Sequence, residues 1–269
     1  MSTIGFVGSG NMAEALIKGI IGAGIYEPGN VFISDIRPDR LKILSEKYSV
    51  VGVDSNAELA VNVETVVLSV KPQTMGDALE SLKERIRADK LIISIAAGIK
   101  VAKIVTELGD IPVVRVMPNT PALVGEGASA LFANDKAKPM IEKAMAIFSA
   151  VGRAVVVDDE DLIDAVTAVS GSGPAYYFLL MEEMIKAAVE LGLPEAVAKD
   201  LVLQTAKGAG LLAVEADKNG ESPAVLRQKV TSPGGTTEAA LKVFAEGRIS
   251  ELVSAAITRA RDRGRELSK

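Results

Sequence analysis

The pattern best suited to chemistry is a G-x-G-x-x-A sequence formed by Gly8, Ser9, Gly10, Asn11, Met12 and Ala13. This first glycine loop lies between the apolar run Ile4–Val7 and a helical pattern. In that context the first glycine permits a tight turn and the second lets a pyrophosphate approach the backbone, while the alanine permits close helix–strand packing. Free N–H groups at the helix start attract the phosphates. The loop predicts a dinucleotide site; the alternative is a tight turn without a ligand.

Charged residues after the second predicted strand bear on which dinucleotide binds. Asp35 lies where an acid binds the adenosine ribose hydroxyls, and it favours NADH because a carboxylate repels a 2′-phosphate. Arg37 and Arg40 favour NADPH for the opposite reason. Both arginines are equally well explained as solvated residues at a helix start. The sequence therefore leaves NADH and NADPH open.

Three further turns follow apolar runs, at Val70-Lys71-Pro72, Ala96-Ala97-Gly98 and Met117-Pro118-Asn119-Thr120-Pro121. Doubly wound sheets bind ligands at the carboxyl ends of their strands, which is where these turns are expected. Small residues such as Ala97 and Gly98 would let the backbone lie against a nicotinamide ring. For each turn the alternative is a simple strand-to-helix connection.

A second glycine loop, Ser232-Pro233-Gly234-Gly235-Thr236-Thr237, precedes a predicted helix in the C-terminal half. Free backbone N–H groups, hydroxyls and a helix N-terminus make it suitable for binding a small carboxylate. The alternative is helix capping by Ser232 or Thr236. Another glycine-rich segment, Ser170–Tyr176, interrupts or begins a helix.

Composition excludes several classes of site. The 269 residues carry a net charge of −5 and include no Cys and no His. Disulfides, thiolate nucleophiles, Cys/His zinc sites, a Ser-His-Asp triad and a histidine base are therefore impossible. No run of acids predicts a metal site, and no basic face predicts a nucleic-acid partner. The apolar stretch Pro174–Met181 is too short to span a bilayer, and the N-terminal residues lack a signal-peptide pattern, so we expect a cytoplasmic protein without membrane segments.

Short Val- and Ile-rich runs alternate with helical patterns up to Asp158. This alternation predicts an α/β fold with a doubly wound parallel sheet. The apolar runs are Ile4–Val7, Val31–Ile33, Val66–Val70, Leu91–Ile95, Val113–Met117, Ala128–Phe132 and Ala154–Val157. Beyond Asp158 only helices are predicted. We therefore expect a Rossmann-like dinucleotide-binding domain at residues 1–158 and an all-α domain at residues 159–269. The wide apolar faces of these helices could be buried within the bundle or against a second copy.

Across its whole length the sequence resembles the pyrroline-5-carboxylate reductase family. The second glycine loop, followed by Ala240-Leu241, is the most specific segment. The resemblance rests on Gly8–Ala13, Val70–Pro72, Ala96–Gly98, Met117–Pro121, Asp161–Thr167, Ser170–Tyr176 and Ser232–Thr237. It implies a Rossmann-like domain and a helical dimerisation domain, with an active site built across the dimer interface. Dimers of this family sometimes assemble further into rings.

The resemblance also implies an activity: hydride transfer from NAD(P)H to the C=N carbon of 1-pyrroline-5-carboxylate, the last step of proline biosynthesis. Ser232 and the N–H groups of Gly234, Gly235, Thr236 and Thr237 would bind the substrate carboxylate. Thr237 would hydrogen-bond the ring nitrogen, Val230 would line the pocket, and Asn56 would lie near the adenosine ribose. Asp35 departs from the serine- or asparagine-like residue expected in NADPH-preferring members.

Two other functions are weighed against this one. A β-hydroxyacid dehydrogenase uses a lysine in the helix after its glycine-rich segment, but here no lysine precedes Lys186. A non-catalytic, cofactor-binding dimer would have no need of a second anion site. A related cyclic imine, including a six-membered ring, stays open as substrate.

Overall fold

The computed structural model describes residues 2–267. These residues form two compact units, which are described separately: residues 2–174 with 259–267, and Ala175–Thr258. The first unit extends beyond the boundary predicted near Asp158-Asp159. As a domain boundary, that position stays a prediction.

One sheet forms the centre of the first unit, with the order β3-β2-β1-β4-β5-β6-β7-β8. Its strands are β1 (Ile4–Val7), β2 (Val31–Ser34), β3 (Val51–Gly52), β4 (Thr65–Leu68), β5 (Leu91–Ser94), β6 (Val113–Met117), β7 (Gly127–Ala133) and β8 (Gly152–Val156). Strands β1 to β6 are parallel, and Ile4 of β1 lies in register with Val31 and Thr65 on its two sides. Strands β1, β4 and β5 are buried on both faces, which explains why they appear as continuous apolar runs.

Strand β7 differs from the fully parallel sheet that the sequence predicts. It runs antiparallel to β6, and β8 runs parallel to β7. The connection from β6 to β7 contains only the 3₁₀ turn Thr120–Val124 and no crossover helix. A parallel neighbour needs a crossover of a dozen or more residues, so this short connection requires the chain to reverse.

Helices cover both faces of the sheet. They are α1 (Asn11–Gly22), α2 (Pro38–Tyr48), α3 (Asn56–Asn62), α4 (Met75–Leu82), α5 (Val101–Leu108), α6 (Ile141–Ser149) and α7 (Leu162–Val166). The apolar faces of α1 and α6 pack into one core, and those of α3, α4 and α5 into another. Alternate residues of β4 enter the two cores, with Val67 in the first and Val66 and Leu68 in the second. This arrangement confirms the doubly wound architecture.

Only helices follow β8 within the described residues. A π-helical turn, Thr167–Gly171, separates α7 from the next helix. The remaining helices are α8 (Gly173–Glu190), α9 (Glu195–Asp217), α10 (Pro223–Lys229), α11 (Thr236–Glu246) and α12 (Ile249–Leu267). The Ser222 hydroxyl caps α10 by accepting a hydrogen bond from Val225 N–H. None of the helices in residues 2–267 is long and apolar enough to cross a membrane.

Candidate functional site

Most of the residues predicted to bind a dinucleotide lie at one edge of the sheet, in or beside the loops that follow its strands. Strands β2, β1, β4, β5 and β6 are consecutive and parallel, so their carboxyl ends meet at the same edge. The strand order reverses between β1 and β4, which is where doubly wound sheets bind ligands. The loops and turns after these strands contain Gly8, Ser9, Gly10, Asp35, Arg37, Val70, Lys71, Pro72, Ala97, Gly98 and Asn119, while Asn11, Met12 and Ala13 begin α1.

The first glycine loop has the geometry that a pyrophosphate requires. Gly8 has a φ of +87°, and a Cβ there would lie 2.9 Å from a Val70 methyl carbon, so only glycine fits. Gly10 lies at the start of α1 with extended backbone, and a Cβ there would meet no atom of the described chain within 4 Å. Protein packing therefore does not require a glycine at position 10, whereas a phosphate against the backbone would.

Asp35 turns toward this loop. Its Oδ2 accepts hydrogen bonds from the backbone N–H and the hydroxyl of Ser9, both at 2.8 Å. Its Oδ1 accepts from the Arg37 N–H at 3.0 Å. Burial raises the pKa of Asp35, but the hydrogen bonds from Ser9 and Arg37 outweigh it and hold the pKa below its ordinary value. A fixed negative charge therefore lies beside the first glycine loop.

Arg40 is engaged within the protein. Its Nε donates to the Ser9 carbonyl at 2.7 Å, and its guanidinium pairs with Glu14 of α1. Lys47 and the Tyr48 hydroxyl also donate to Glu14, at 2.9 and 3.0 Å. The Arg40 side chain is only 16% exposed. Of the two arginines that favour NADPH, Arg40 therefore supports the loop, and Arg37, 56% exposed, is the freer one.

The other predicted cofactor residues differ in their surroundings. Asn56 lies beside the end of β2, where its Oδ1 accepts from the Ser34 hydroxyl at 2.7 Å. Lys71 is exposed and precedes a 3₁₀ turn that begins at Pro72. Ala97 is exposed and Gly98 has a φ of +75°, so this loop presents backbone rather than bulky side chains.

Asn119 makes two hydrogen bonds inside the protein. Its Oδ1 accepts from the Ala128 N–H at 2.8 Å, and its Nδ2 donates to the Ser170 carbonyl at 3.0 Å. The side chain is buried and joins the turn after β6 to the π-helical turn. These contacts give Asn119 a structural role that the sequence pattern did not indicate. Binding of a cofactor by Asn119 stays a prediction.

In the second unit, the second glycine loop leads directly into α11. Gly234 has a φ of +71°, and Gly235 lies at the N-cap position. Gly235 N–H donates to the Ser232 carbonyl at 3.0 Å, and Gly234 N–H donates to Glu238 Oε2 at 2.7 Å. Two of the N–H groups predicted to bind a substrate carboxylate therefore already have partners within the protein. The partner of Gly234 N–H is itself a carboxylate, that of Glu238. The N–H groups of Thr236 and Thr237, in the first turn of α11, have no partner within the helix.

An open concavity of about 540 Å³ lies against this loop, lined by Gly234, Gly235, Glu238, Ala239, Leu241 and Lys242. Ser232, Thr236 and Val230 are exposed, and Thr237 is half-buried. Loop and concavity together provide room for a small ligand beside the N-terminus of a helix. The partial positive charge of that terminus favours an anion.

The sequence interpretation missed several polar residues. Glu238 three positions after the N-cap is a known capping signal, and Arg115 is a charged residue within an apolar strand. The Arg115 guanidinium is buried, and Nη1 donates to Glu160 Oε1 at 3.0 Å. Its Nη2 lies 3.6 Å from Asp164. Among residues 2–267 no cluster of acids could hold a metal ion.

The helices of the second unit expose many apolar side chains, so their wide apolar faces are not buried within one chain. Leu191 is 87% exposed and Tyr177 68%. Others are Phe178, Leu179, Leu180, Leu201, Leu211, Leu212, Val214, Val243, Leu252 and Val253. Exposed apolar surface of this extent is typical of a protein–protein interface.

Comparison with known proteins gives the family. A family model described as pyrroline-5-carboxylate reductase dimerisation matches residues 160–267, and one described as NADP oxidoreductase, coenzyme F420-dependent, matches residues 3–98. The pyrroline-5-carboxylate reductase of Pseudomonas aeruginosa is 45% identical, over 100% of this chain and 98% of that protein. The chain belongs to the pyrroline-5-carboxylate reductase family.

Solved structures of reductases from this family share the fold. One from Coxiella burnetii is 42% identical and superposes with a TM-score of 0.93, covering 100% of this chain and 99% of that one. One from Plasmodium falciparum, with NADP bound, is 31% identical with a TM-score of 0.87, covering 100% and 98%. These comparisons confirm the resemblance to pyrroline-5-carboxylate reductase that the sequence indicated. They also confirm the α/β fold with a Rossmann-like domain and the assignment as an NAD(P)H-dependent oxidoreductase.

Proposed function

We propose that this protein reduces 1-pyrroline-5-carboxylate to L-proline with NAD(P)H, the last step of proline biosynthesis. The observation that carries the proposal is similarity to pyrroline-5-carboxylate reductases over the entire chain, which includes both glycine loops. When bound, NAD(P)H supplies the hydride from C4 of its nicotinamide.

The cofactor would lie along the edge formed by the loops after β1, β2, β4 and β5. The N-terminus of α1 and the backbone at Gly10 bind the pyrophosphate. Asp35, Arg37 and Asn56 lie toward the adenosine ribose. Val70, Lys71, Pro72, Ala97 and Gly98 lie toward the nicotinamide, and Asn119 borders the same edge.

The substrate would bind at the second glycine loop. Its carboxylate lies at the N-terminus of α11, held by Ser232 and by backbone N–H groups from Gly234 to Thr237. Because Glu238 accepts from Gly234 N–H in this structure, the substrate carboxylate either displaces Glu238 or uses the N–H groups of Thr236 and Thr237. Val230 forms an apolar wall, and the Thr237 hydroxyl hydrogen-bonds the ring nitrogen.

The protein's own residues need to position the reactants rather than supply a strong acid. A cyclic imine that binds already protonated is an electrophilic iminium, and this suits a chain without histidine. Thr237 is the catalytic residue in this proposal because its hydroxyl orients the ring nitrogen. The loops at the edge of the sheet exclude water and hold the cofactor.

We further propose that the protein is a cytoplasmic homodimer whose second glycine loop completes the cofactor site of the partner subunit. The exposed apolar side chains of α8 and α9 support an interface with a second copy. The description of residues 160–267 as a dimerisation region supports it too. Higher assembly into rings is compatible with such dimers.

The ion pairs of Lys186, the first lysine of α8, argue against alcohol oxidation. Its Nζ pairs with Glu182 at 2.7 Å and Glu183 at 2.8 Å. The hydrogen bonds that Lys186 donates to these carboxylates raise its pKa above the ordinary value, so it is a poor base. A β-hydroxyacid dehydrogenase would need a lysine able to take up the hydroxyl proton.

The test is oxidation of NADH and NADPH by purified protein, followed by absorbance with and without 1-pyrroline-5-carboxylate. We expect substrate-dependent oxidation with at least one cofactor and L-proline as product. The six-membered ring analogue is assayed in parallel to measure ring-size preference. A protein that binds cofactor but shows no turnover with either imine would instead be a non-catalytic dimer.

A further inference from the structure

A largely buried ion cluster contacts the first residue of α5, and the proposed reaction uses none of its members. The Arg115 side chain is only 2% exposed. Its Nη1 donates to Glu160 at 3.0 Å, and Nη2 lies 3.6 Å from Asp164, itself 3.8 Å from Arg265. The two acids and two arginines balance in charge, and the balance matters most for Arg115 and Asp164, which are buried, while Arg265 is 52% exposed.

Glu160 makes a second contact that reaches the cofactor edge. The same Oε1 that accepts from Arg115 also accepts from Val101 N–H at 2.8 Å. Val101 is the first residue of α5, and the Lys100 side chain provides no cap. Glu160 therefore caps α5 from a distant part of the chain and satisfies an N–H group that the helix leaves free.

The capped residue directly follows the β5–α5 loop, residues 95–100, which contains Ala97 and Gly98. We propose that Glu160 is a positioning residue that holds the β5–α5 loop in place against the nicotinamide. This inference rests on the proposed cofactor site. Buried Arg115 fixes the orientation of the Glu160 carboxylate, the carboxylate fixes Val101 N–H, and the loop backbone is thereby set.

Apolar packing is the competing explanation for the loop's position. Ile99 and Val101 are buried, with 6% and 7% exposure, and their side chains enter the core under α5. If packing alone holds the loop, loss of the Glu160 carboxylate changes stability without any selective effect on nicotinamide binding. The two explanations therefore predict different ligand preferences.

The decisive measurement is direct binding, which needs no turnover. Dissociation constants are measured for NADH and NADPH, and for ADP-ribose and 2′-phospho-ADP-ribose, which lack the nicotinamide. We expect Glu160→Ala to weaken the binding of NADH or NADPH by about tenfold, because the loop that this hydrogen bond held must then be ordered when the nicotinamide binds, while the matching fragment binds as it does to wild type. Asp161→Asn is the matched control, because it weakens an exposed pair with Lys100 of the same loop and leaves the hydrogen bond from Val101 N–H to Glu160 in place.

Two further variants separate positioning from folding. Glu160→Gln keeps an acceptor for Val101 N–H, so it should retain most of the nicotinamide-dependent affinity. Arg115→Met combined with Glu160→Met removes both buried charges with similar volume, which allows folding while the cap is lost. This double variant should show the same selective loss as Glu160→Ala.

If Glu160→Ala weakens the binding of dinucleotides and fragments equally, or weakens the binding of neither, the positioning role is wrong. Failure of the proposed reaction is a separate result, seen as no imine reduction by wild-type protein that still binds NADH or NADPH. In that case the fragment comparison still tests Glu160.

Discussion

Both donor groups of Ser9 point at one oxygen of Asp35: its backbone N–H and its hydroxyl each lie 2.8 Å from Oδ2. Ser9 is fully buried in the first glycine loop, so the acid at the end of β2 is tied to the loop expected to bind the pyrophosphate. The negative charge of Asp35 is therefore fixed near the place where the 2′-phosphate of NADPH would lie.

Replacing Asp35 with serine should therefore shift preference toward NADPH. We expect the ratio of kcat/KM for NADPH to that for NADH to rise about tenfold, because a repulsive charge is lost and Arg37 is released from it. Steady-state kinetics with both cofactors measure the ratio. Asp39→Ser, which changes another acid at the start of α2, should leave it unchanged. Equal weakening of both cofactors would show that Asp35 only supports the loop.

Gly10→Ala should weaken cofactor binding while leaving the stability of the fold almost unchanged. Gly10 has a φ of −68°, and a Cβ there has open space among the described residues, so unfolding free energy should change by less than about 1 kcal/mol. Cofactor affinity should fall by about tenfold or more because the methyl group blocks the pyrophosphate. Gly22→Ala, at another open position of α1, should affect neither property. Unaltered cofactor binding in Gly10→Ala would argue against a pyrophosphate at this loop.

Thr237→Ala should lower kcat/KM for 1-pyrroline-5-carboxylate by about ten- to a few hundred-fold, the range for a lost transition-state hydrogen bond. Thr237→Ser retains the hydroxyl and should keep most of the activity. Cofactor affinity, measured by fluorescence titration, should match wild type in both variants. An alanine variant with wild-type kcat/KM would remove Thr237 from the catalytic role.

The sequence revealed those elements whose pattern is local. Buried parallel strands such as β4 and β5 appear as apolar runs, and the first glycine loop has a fixed spacing. Strand β3 has only two residues and α3 only seven, so the sequence pattern indicates neither. The reversal at β7 depends on the length of a connection rather than on strand composition.

Contacts between distant residues were beyond sequence reasoning. Glu160 lies 45 residues after Arg115, and no local spacing connects the two. Arg40 carries a charge suited to a 2′-phosphate, but only the fold shows that it is paired with Glu14. Side-chain orientation, as in Asp35, likewise depends on tertiary structure. The roles of individual site residues therefore remain proposals, whereas the fold and family follow from pattern.

Glu14→Gln should destabilise the protein in a pH-dependent manner. Burial raises the pKa of Glu14, but hydrogen bonds from Lys47, Arg40 and Tyr48 outweigh it and lower the pKa from 4.5 to about 2. Since the folded pKa is depressed, this stabilisation is complete above pH 4.5 and is lost as the pH falls toward 2. Near neutral pH we expect a loss of about 1–2 kcal/mol, limited by solvent screening around exposed Lys47.

Urea denaturation of wild type and Glu14→Gln across this acidic range measures the effect. The difference between the two unfolding free energies should narrow as the pH falls below 4.5. Glu46→Gln is the control, because its partner Lys42 lies 3.9 Å away and both side chains are well exposed. That substitution should cost less than about 0.5 kcal/mol. A constant difference at every pH would mean that Glu14 stabilises the fold by packing rather than by charge.

Mixed dimers provide the sharpest test of an active site shared between subunits. Gly10→Asp should abolish cofactor binding by placing a carboxylate against the pyrophosphate, and Thr237→Ala should disable the second glycine loop. Gly10→Asp alone is expected to be inactive, and Thr237→Ala alone should keep only the residual activity predicted above. If one subunit's second glycine loop completes its partner's cofactor site, one of the two sites in a mixed dimer has both parts intact. The isolated mixed dimer should therefore show about half of the wild-type activity per dimer, because one of its two sites is intact.

The measurement is the rate of imine-dependent NAD(P)H oxidation after co-expression of differently tagged subunits and isolation of the doubly tagged dimer. Separately purified variants, combined without subunit exchange, serve as the control and should show no more than the residual activity of Thr237→Ala. Doubly tagged dimers without recovered activity would place both glycine loops of a functional site in the same chain. In that case the exposed apolar side chains of α8 and α9 would serve association alone, with no part in assembling the site.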